Sequence, residues 1–235
     1  MKMKICTIVT TLAISCASLV VSADNYTSTD PNKNSSFNRT NAQYYAETYG
    51  DLFQTPYEGT GSGTSGTYAG KYYNFYNDGG DCTNFVSQVL KYGGMGMKGT
   101  NRDSISSWFY RGTYPSYSCT WTDAHWFRKY WGHITGSGGT NAAYSYKVYT
   151  VSEALANWES IYMDLYQGDI VQHADSNGNT THSQVIHDYG SDYDLYFAQH
   201  SVSSSGAYID GNLQDYLNGK PSNNYFFTYQ IKNGY

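Results

Sequence analysis

Gly79-Gly80-Asp81-Cys82-Thr83-Asn84-Phe85-Val86-Ser87-Gln88-Val89-Leu90-Lys91-Tyr92-Gly93-Gly94 is the stretch on which the reading of this chain turns. Cys82, Phe85, Val86, Val89 and Leu90 recur at the spacing of a helix with one apolar stripe. Gly79 and Gly80 break structure ahead of it, Asp81 stands where an N-cap belongs, and Gly93 stands where the helix would end. Cys82 therefore falls in the first turn. There the unpaired backbone N–H groups and the positive end of the helix dipole favour a thiolate. The bland alternatives are a small buried residue on the stripe, or half of a disulfide. A first-turn position directly after a Gly-Gly break favours a thiol nucleophile borne on a helix.

The rest of the chain narrows the setting. Its 235 residues suit one domain plus targeting sequence. With 14% charged residues and a net charge of −5, the chain has no basic footprint for nucleic acid. Its 27 Tyr, 9 Phe and 5 Trp carry too much apolar surface for a disordered chain. Residues 1–23 read as a signal peptide: Lys2 and Lys4, an apolar run from Ile5 to Val21, then the small residues Val21-Ser22-Ala23. The apolar run is too short and interrupted to span a membrane, so the expected location is secreted or extracellular. Residues 24–36, rich in Asn, Ser and Thr, read as a flexible leader before a domain over 37–235. Thr40 to Tyr49 reads as a first helix, and the Gly/Ser/Thr-rich segment 59–70 as a loop. Of four cysteines, Cys6 and Cys16 leave with the signal, and Cys82 and Cys119 remain, bridged or free.

A thiol nucleophile needs a base. His125 and His133 flank an aromatic stretch (Trp126, Phe127, Tyr130, Trp131) with helical spacing and Thr122 as its cap, and read as packing or surface residues. Residues 167–201 have another pattern. Gly168-Asp169-Ile170-Val171, a turn over 175–179, His182-Ser183-Gln184-Val185-Ile186, a second turn, and Leu195 to Ser201 describe a three-stranded meander. It carries His173, His182, His187 and His200. Two of these on neighbouring strands can face a helix N-terminus, as a cysteine–histidine pair with an orienting third group requires. No CxxC or HxxxH spacing supports a metal site, and no cofactor is implied.

The run GGDCTNFVSQVL resembles the signature of the putative amidase domain family, exported bacterial proteins related to NlpC-type peptidoglycan peptidases. Phe37-Asn38-Arg39 with Ala42 and Tyr45-Ala46 is similar to that family's first helix. Residues 118–130 resemble its Trp-containing segment, and Gly168-Asp169-Ile170-Val171, His182-Ser183 and His200-Ser201 its closing sheet. The resemblance spans about residues 37–231. It implies an α+β, papain-like (NlpC-type) fold with the nucleophile helix packed on a small antiparallel sheet. It further implies Cys82 as nucleophile, His182 as base and His200 as the orienting residue, with Gln199 and Asp188 as competitors for that third place. Gln199 and His200 point to opposite faces of a strand, so only one of them reaches His182. The oxyanion donor is the Cys82 backbone N–H, with Asn74 or Asn77 as side-chain candidates. The function implied is a secreted, monomeric cysteine amidase or peptidase acting on peptide or peptidoglycan-like substrates. The alternatives are a catalytically silent, aromatic-rich wall- or carbohydrate-binding domain on the same fold, and a structural domain stapled by Cys82–Cys119.

Overall fold

The computed structural model describes residues 25–52, 58–59, 72–76, 78–112, 116–200 and 207–235. The signal segment, most of the Gly/Ser/Thr-rich loop and Asn77 therefore lie outside the described residues. In chain order the elements are β1 (Tyr26–Thr27), α1 (Arg39–Tyr49), β2 (Glu58–Gly59), β3 (Tyr72–Tyr73), α2 (Cys82–Tyr92), α3 (Cys119–Thr122) and α4 (Ala124–Trp131). There follow β4 (Ser145–Thr150), α5 (Val151–Ala156), α6 (Trp158–Asp164), β5 (Ile170–Ala174), β6 (Thr180–Tyr189), β7 (Leu195–Gln199), β8 (Tyr208–Asn212), α7 (Leu213–Asn218) and β9 (Tyr225–Gln230). Seven strands form one antiparallel sheet in the order β1-β4-β9-β5-β6-β7-β8, and β2 and β3 pair separately. The fold is α+β. The sheet is larger than the small one expected, because β4 and β9 extend the meander on the β5 side and β8 on the β7 side.

Both faces of this sheet are apolar, which explains why its inner strands carry apolar neighbours instead of a clean alternation with polar residues. Ile170, Val185 and Phe227 point into one core, and their chain neighbours Val171, Ile186 and Phe226 into a second. Helices α1, α2 and α4 cover the first face against β6. Residues of α5, α6 and α7 fill the second core. The result is three layers, with β6 in contact with both cores.

Helix α2 lies in the middle layer's shadow, and every residue from Cys82 to Leu90 is buried. Phe85, Val86, Val89 and Leu90 supply the apolar contacts. The polar residues between them each find a partner, as buried polar groups must. Asn84 donates to the Tyr73 carbonyl at 2.8 Å and accepts from Trp121 Nε1 at 2.9 Å. Ser87 donates to the Trp121 carbonyl and accepts from Trp108 Nε1, and Gln88 accepts from the Tyr45 hydroxyl. Asp81 does not cap the helix with its side chain, as its sequence position suggested. Its carboxylate instead accepts from the Phe75 N–H and the Asn84 amide, both at 2.9 Å, tying the segment before the helix to its first turn. The chain reaches Asp81 through Gly79 and Gly80 at φ +99° and +116°, a region that side chains other than glycine rarely adopt.

Two further parts of the sequence pattern meet at a buried ion pair. Arg39 Nη1 lies 2.8 Å from Asp169 Oδ1, with both side chains buried. The rest of the guanidinium donates to the carbonyls of Gln167, Lys232 and Gly234. The other Asp169 contacts come from the N–H groups of Ile231 and Tyr166. Gly168 is needed beside them, because a Cβ there would stand 2.9 Å from Ala42 Cβ and from Phe37 Cζ. The segment read as a flexible leader is anchored instead. Tyr26–Thr27 pairs with β4, and the Asn34 amide donates to the carbonyls of Ala142 and Ile231 at 2.8 Å. The aromatic helix forms as α4, capped by Asp123 rather than Thr122: Asp123 Oδ1 accepts from the Trp126 N–H at 2.9 Å. Among the described residues no helix is long and apolar enough to cross a membrane.

Candidate active site

Cys82 begins α2 and is buried, at 9% exposure. Its sulfur stands beside the open edge of β6, because the register of β7 on β6 stops at Val185 opposite Ala198. That leaves the Ser183 N–H free to donate to the sulfur, and Thr83 Oγ1 lies 3.7 Å from it. Thr83 is itself held by Ser183 Oγ at 3.0 Å, and Ser183 Oγ accepts from the Gln172 amide at 2.8 Å. Burial alone pushes the thiol pKa up. The hydrogen bond and charge of His182 outweigh it, helped by Thr83 and the Ser183 N–H, and the pKa falls below the usual thiol value.

His182 responds in the opposite direction. Burial lowers its pKa, but the hydrogen bond and charge of Cys82, with a hydrogen bond from Gln199, raise it above the ordinary imidazole value. The two groups therefore favour a thiolate–imidazolium pair. The ring orientation follows from a chain of amides. His173 Nε2 meets Gln184 Oε1 at 2.7 Å, Gln184 Nε2 donates to Gln199 Oε1 at 2.8 Å, and that same oxygen lies 2.7 Å from His182 Nε2. An oxygen already accepting from Gln184 can only accept from His182, so Nε2 carries the proton and Nδ1 is left for the thiol. His173 closes the chain as a neutral ring, its pKa pushed down to about 3 by burial and then by the charge of His182.

His200 does not orient His182. It lies on the α2 face of the sheet, where Nδ1 meets Asp81 Oδ2 at 2.8 Å and Nε2 donates to the Tyr49 carbonyl at 3.0 Å. Its ring stacks on Phe85 with centroids 4.0 Å apart. Gln199, on the other face, is the residue that reaches the base. Asp188, the other competitor, is exposed and pairs with Tyr196 across the strands. His187 faces Glu47 and Asp210 at 3.7 and 3.5 Å, away from the thiol. Asn74 does not line the cleft, and its Oδ1 accepts from the Tyr76 N–H. Gln184, Thr83 and Ser183 are the supporting residues that local sequence did not single out.

Cys82 opens onto a cleft of about 660 Å³ walled by Tyr73, Phe75, Tyr117 and Trp126, with Gly79 and Gly80 on its rim. A family model of the putative amidase domain matches residues 36–227. The chain belongs to that family. No curated protein and no solved structure matches it. Cys119 also lines this cleft of the amidase domain, and both thiols are free. Its environment is the reverse of that of Cys82. Burial and the nearby Asp103 carboxylate push its pKa up to about 11.

The different partners of Gln199 and His200 separate their variants. Gln199→Ala should lower kcat about 10- to 100-fold, a part of the 10²–10⁴ that a positioned base contributes. Its stability cost should stay near the ~1–3 kcal/mol of an orphaned buried amide. His200→Ala should take one partner from the buried Asp81 side chain, which keeps the Phe75 N–H and the Asn84 amide. It also removes the ring stacked on Phe85, and the total cost should be about 3 kcal/mol or more. Urea melts and steady-state kinetics on both variants read the two effects; a larger rate loss in folded His200→Ala would reverse the assignment.

Proposed function

We propose that this chain is a secreted cysteine amidase with a papain-like, NlpC-type arrangement, acting on amide bonds of peptide or cell-wall peptide chains. Cys82 is the nucleophile, His182 the base and Gln199 the orienting residue. The observation that carries the reading is geometric: Cys82 begins α2 on a cleft, and the His182 ring beside it is fixed through Nε2 by Gln199 Oε1 at 2.7 Å. The lowered thiol and raised imidazole pKa values agree with it. The amino-terminal pattern of residues 1–23 supports export.

The chemistry follows from the atoms present. His182 Nδ1 takes the Cys82 proton, and the sulfur attacks the amide carbonyl carbon. The carbonyl oxygen becomes an oxyanion, for which the Cys82 backbone N–H, one of the orphan donors of the first helical turn, is the nearest built-in donor. His182 then gives its proton to the leaving nitrogen as the C–N bond breaks, leaving a thioester. Water, losing a proton to His182, opens the thioester to a carboxylic acid and returns the thiol. Gln199 keeps Nδ1 aimed at the sulfur through all four transfers.

Purified protein should release amine from peptidoglycan fragments or short acyl-amides, and iodoacetamide should abolish that release as it modifies Cys82. Activity should rise through the lowered Cys82 pKa as the thiolate forms, hold, and fall through the raised His182 pKa as the imidazolium loses its proton. At neutral pH Cys82 should alkylate well ahead of Cys119, whose thiolate is scarce with a pKa of about 11. Equal alkylation of both thiols, or binding to wall material without amine release at any pH, would overturn the reading.

A further inference from the structure

The cysteine and the histidine open onto different hollows. Cys82 and Thr83 line the large aromatic cleft, whereas His182 lines a separate hollow of about 140 Å³ with His173, Tyr216 and Lys220. Thr181 belongs to both, so the reactive pair sits on the divide. In a cysteine amidase the acyl half stays on sulfur and the amine half leaves beside the histidine that protonates it. The large cleft is then the acyl side, and the small hollow is where the departing amine must sit.

The hollow has its own chemistry. Lys220 stands just past α7, with its Nζ 4.1 Å from the centroid of the Tyr216 ring, and makes no ion pair among the described residues. Tyr216 packs against both His173 and His182, at centroid distances of 4.8 and 6.5 Å. The positive charge of Lys220 opposes protonation of His173 and of His182. A cation so placed works against the imidazolium that the pair needs, and beyond the Tyr216 ring it has no hydrogen-bond or ion-pair partner among the described residues. Among the described residues lining the hollow the carboxylate is Asp175, which is held in its own turn and makes no ion pair with Lys220. Asp175 Oδ1 accepts from the N–H groups of Asn177 and Asn179, and its Oδ2 from the Asn179 amide.

We propose that this hollow is the leaving-group subsite and that Lys220 reads a carboxylate on the departing amine. The substrate class is an amide whose amine half is a small amino acid carrying its own carboxylate, such as the last residue of a peptide chain. This inference rests on the amidase reading and names its substrate. A bound carboxylate neutralises Lys220, which removes the charge that opposes the imidazolium when the pair must form. The size of the hollow, about 140 Å³, sets a second preference: a small amine half such as glycine or alanine over an aromatic one.

The test uses N-acetylated di- and tripeptides ending in Gly, L-Ala, D-Ala or Phe, each as the free acid and as the carboxamide. Wild-type protein should cleave the small-residue acids in preference to their carboxamides and to the Phe peptides. Lys220→Met should lower the acid-to-carboxamide ratio of kcat/KM by about 10- to 100-fold, the range of a charge-assisted contact, mainly through KM. Lys220→Arg should restore most of that ratio. An unchanged ratio in Lys220→Met, or equal losses on acids and carboxamides, overturns the proposal. Should wild-type protein cleave none of the peptides, the amidase reading is what has failed. Calorimetric binding of the same peptides to Cys82→Ala and to Cys82→Ala/Lys220→Met then still decides whether Lys220 selects the carboxylate.

Discussion

Cys82→Ala and His182→Ala should each cut amide hydrolysis by on the order of 10⁴-fold or more, and the double variant should be no worse than either single one. That non-additivity is the mark of groups acting as a unit: a thiol without its base and a base without its thiol are equally idle. The fold should survive both changes. Cys82 contributes a small side chain whose hydroxyl neighbour, Thr83, keeps its bond to Ser183, and His182 lies at the margin of the core, partly exposed. In Cys82→Ala, His182 should also titrate lower than in wild type, because the thiol's hydrogen bond and charge no longer counter burial and the charge of Lys220. The ring Cε1 proton followed by NMR across pH reads this directly. A Cys82→Ala protein that retains turnover, or a His182 pKa indifferent to the thiol, would remove the pair from the mechanism.

The second large effect is on stability. Arg39→Ala should cost about 3–5 kcal/mol, because it leaves the Asp169 carboxylate buried without its counter-charge. At about 2–4 °C per kcal/mol for a chain of this size, the melting temperature should fall by about 6–20 °C. The same guanidinium also holds three carbonyls, at Gln167, Lys232 and Gly234, so α1, the start of β5 and the chain's last residues loosen together. Arg39→Lys keeps the charge but not the planar fork, and should recover only part of the loss. Thermal and urea unfolding of the two variants measure it; a loss under 1 kcal/mol in Arg39→Ala would show the pair to be dispensable.

What could be read from sequence was what neighbours along the chain decide. The spacing from Cys82 to Leu90 and the turn residues around 175–179 give α2 and the β5–β6 hairpin with bounds close to those observed. The Cys82–His182 pairing came from the family resemblance and not from local pattern. The third residue was harder for a reason of geometry. Alternation along β7 says that either Gln199 or His200 reaches His182, and only the register of β7 on β6 says which. Histidine is the more reactive side chain of the two, yet its partner, Asp81, is over a hundred positions away in sequence and stands where an N-cap belongs. Strand β1 leaves no mark in the sequence, because two residues have no periodicity and its neighbours have the composition of a leader. Strands β4 and β9 are stabilised by their pairing with each other along six positions, which no window of either sequence contains.

The burial of α2 from Cys82 to Leu90 also limits where this protein can be changed. Thr83, Asn84, Ser87 and Gln88 each hold a neighbouring segment, so a substitution there alters the scaffold before it alters the reaction. The nucleophile is thus mounted on a part that tolerates little variation. Freedom to acquire a new specificity lies in the partly or fully exposed positions around it: Asp78, Arg102, Cys119, Thr122 and Trp126 on the cleft wall, and Thr181 in β6. A library confined to those positions should keep a working cysteine in most of its members, whereas one spread over 83–90 should yield mainly proteins that fail to fold.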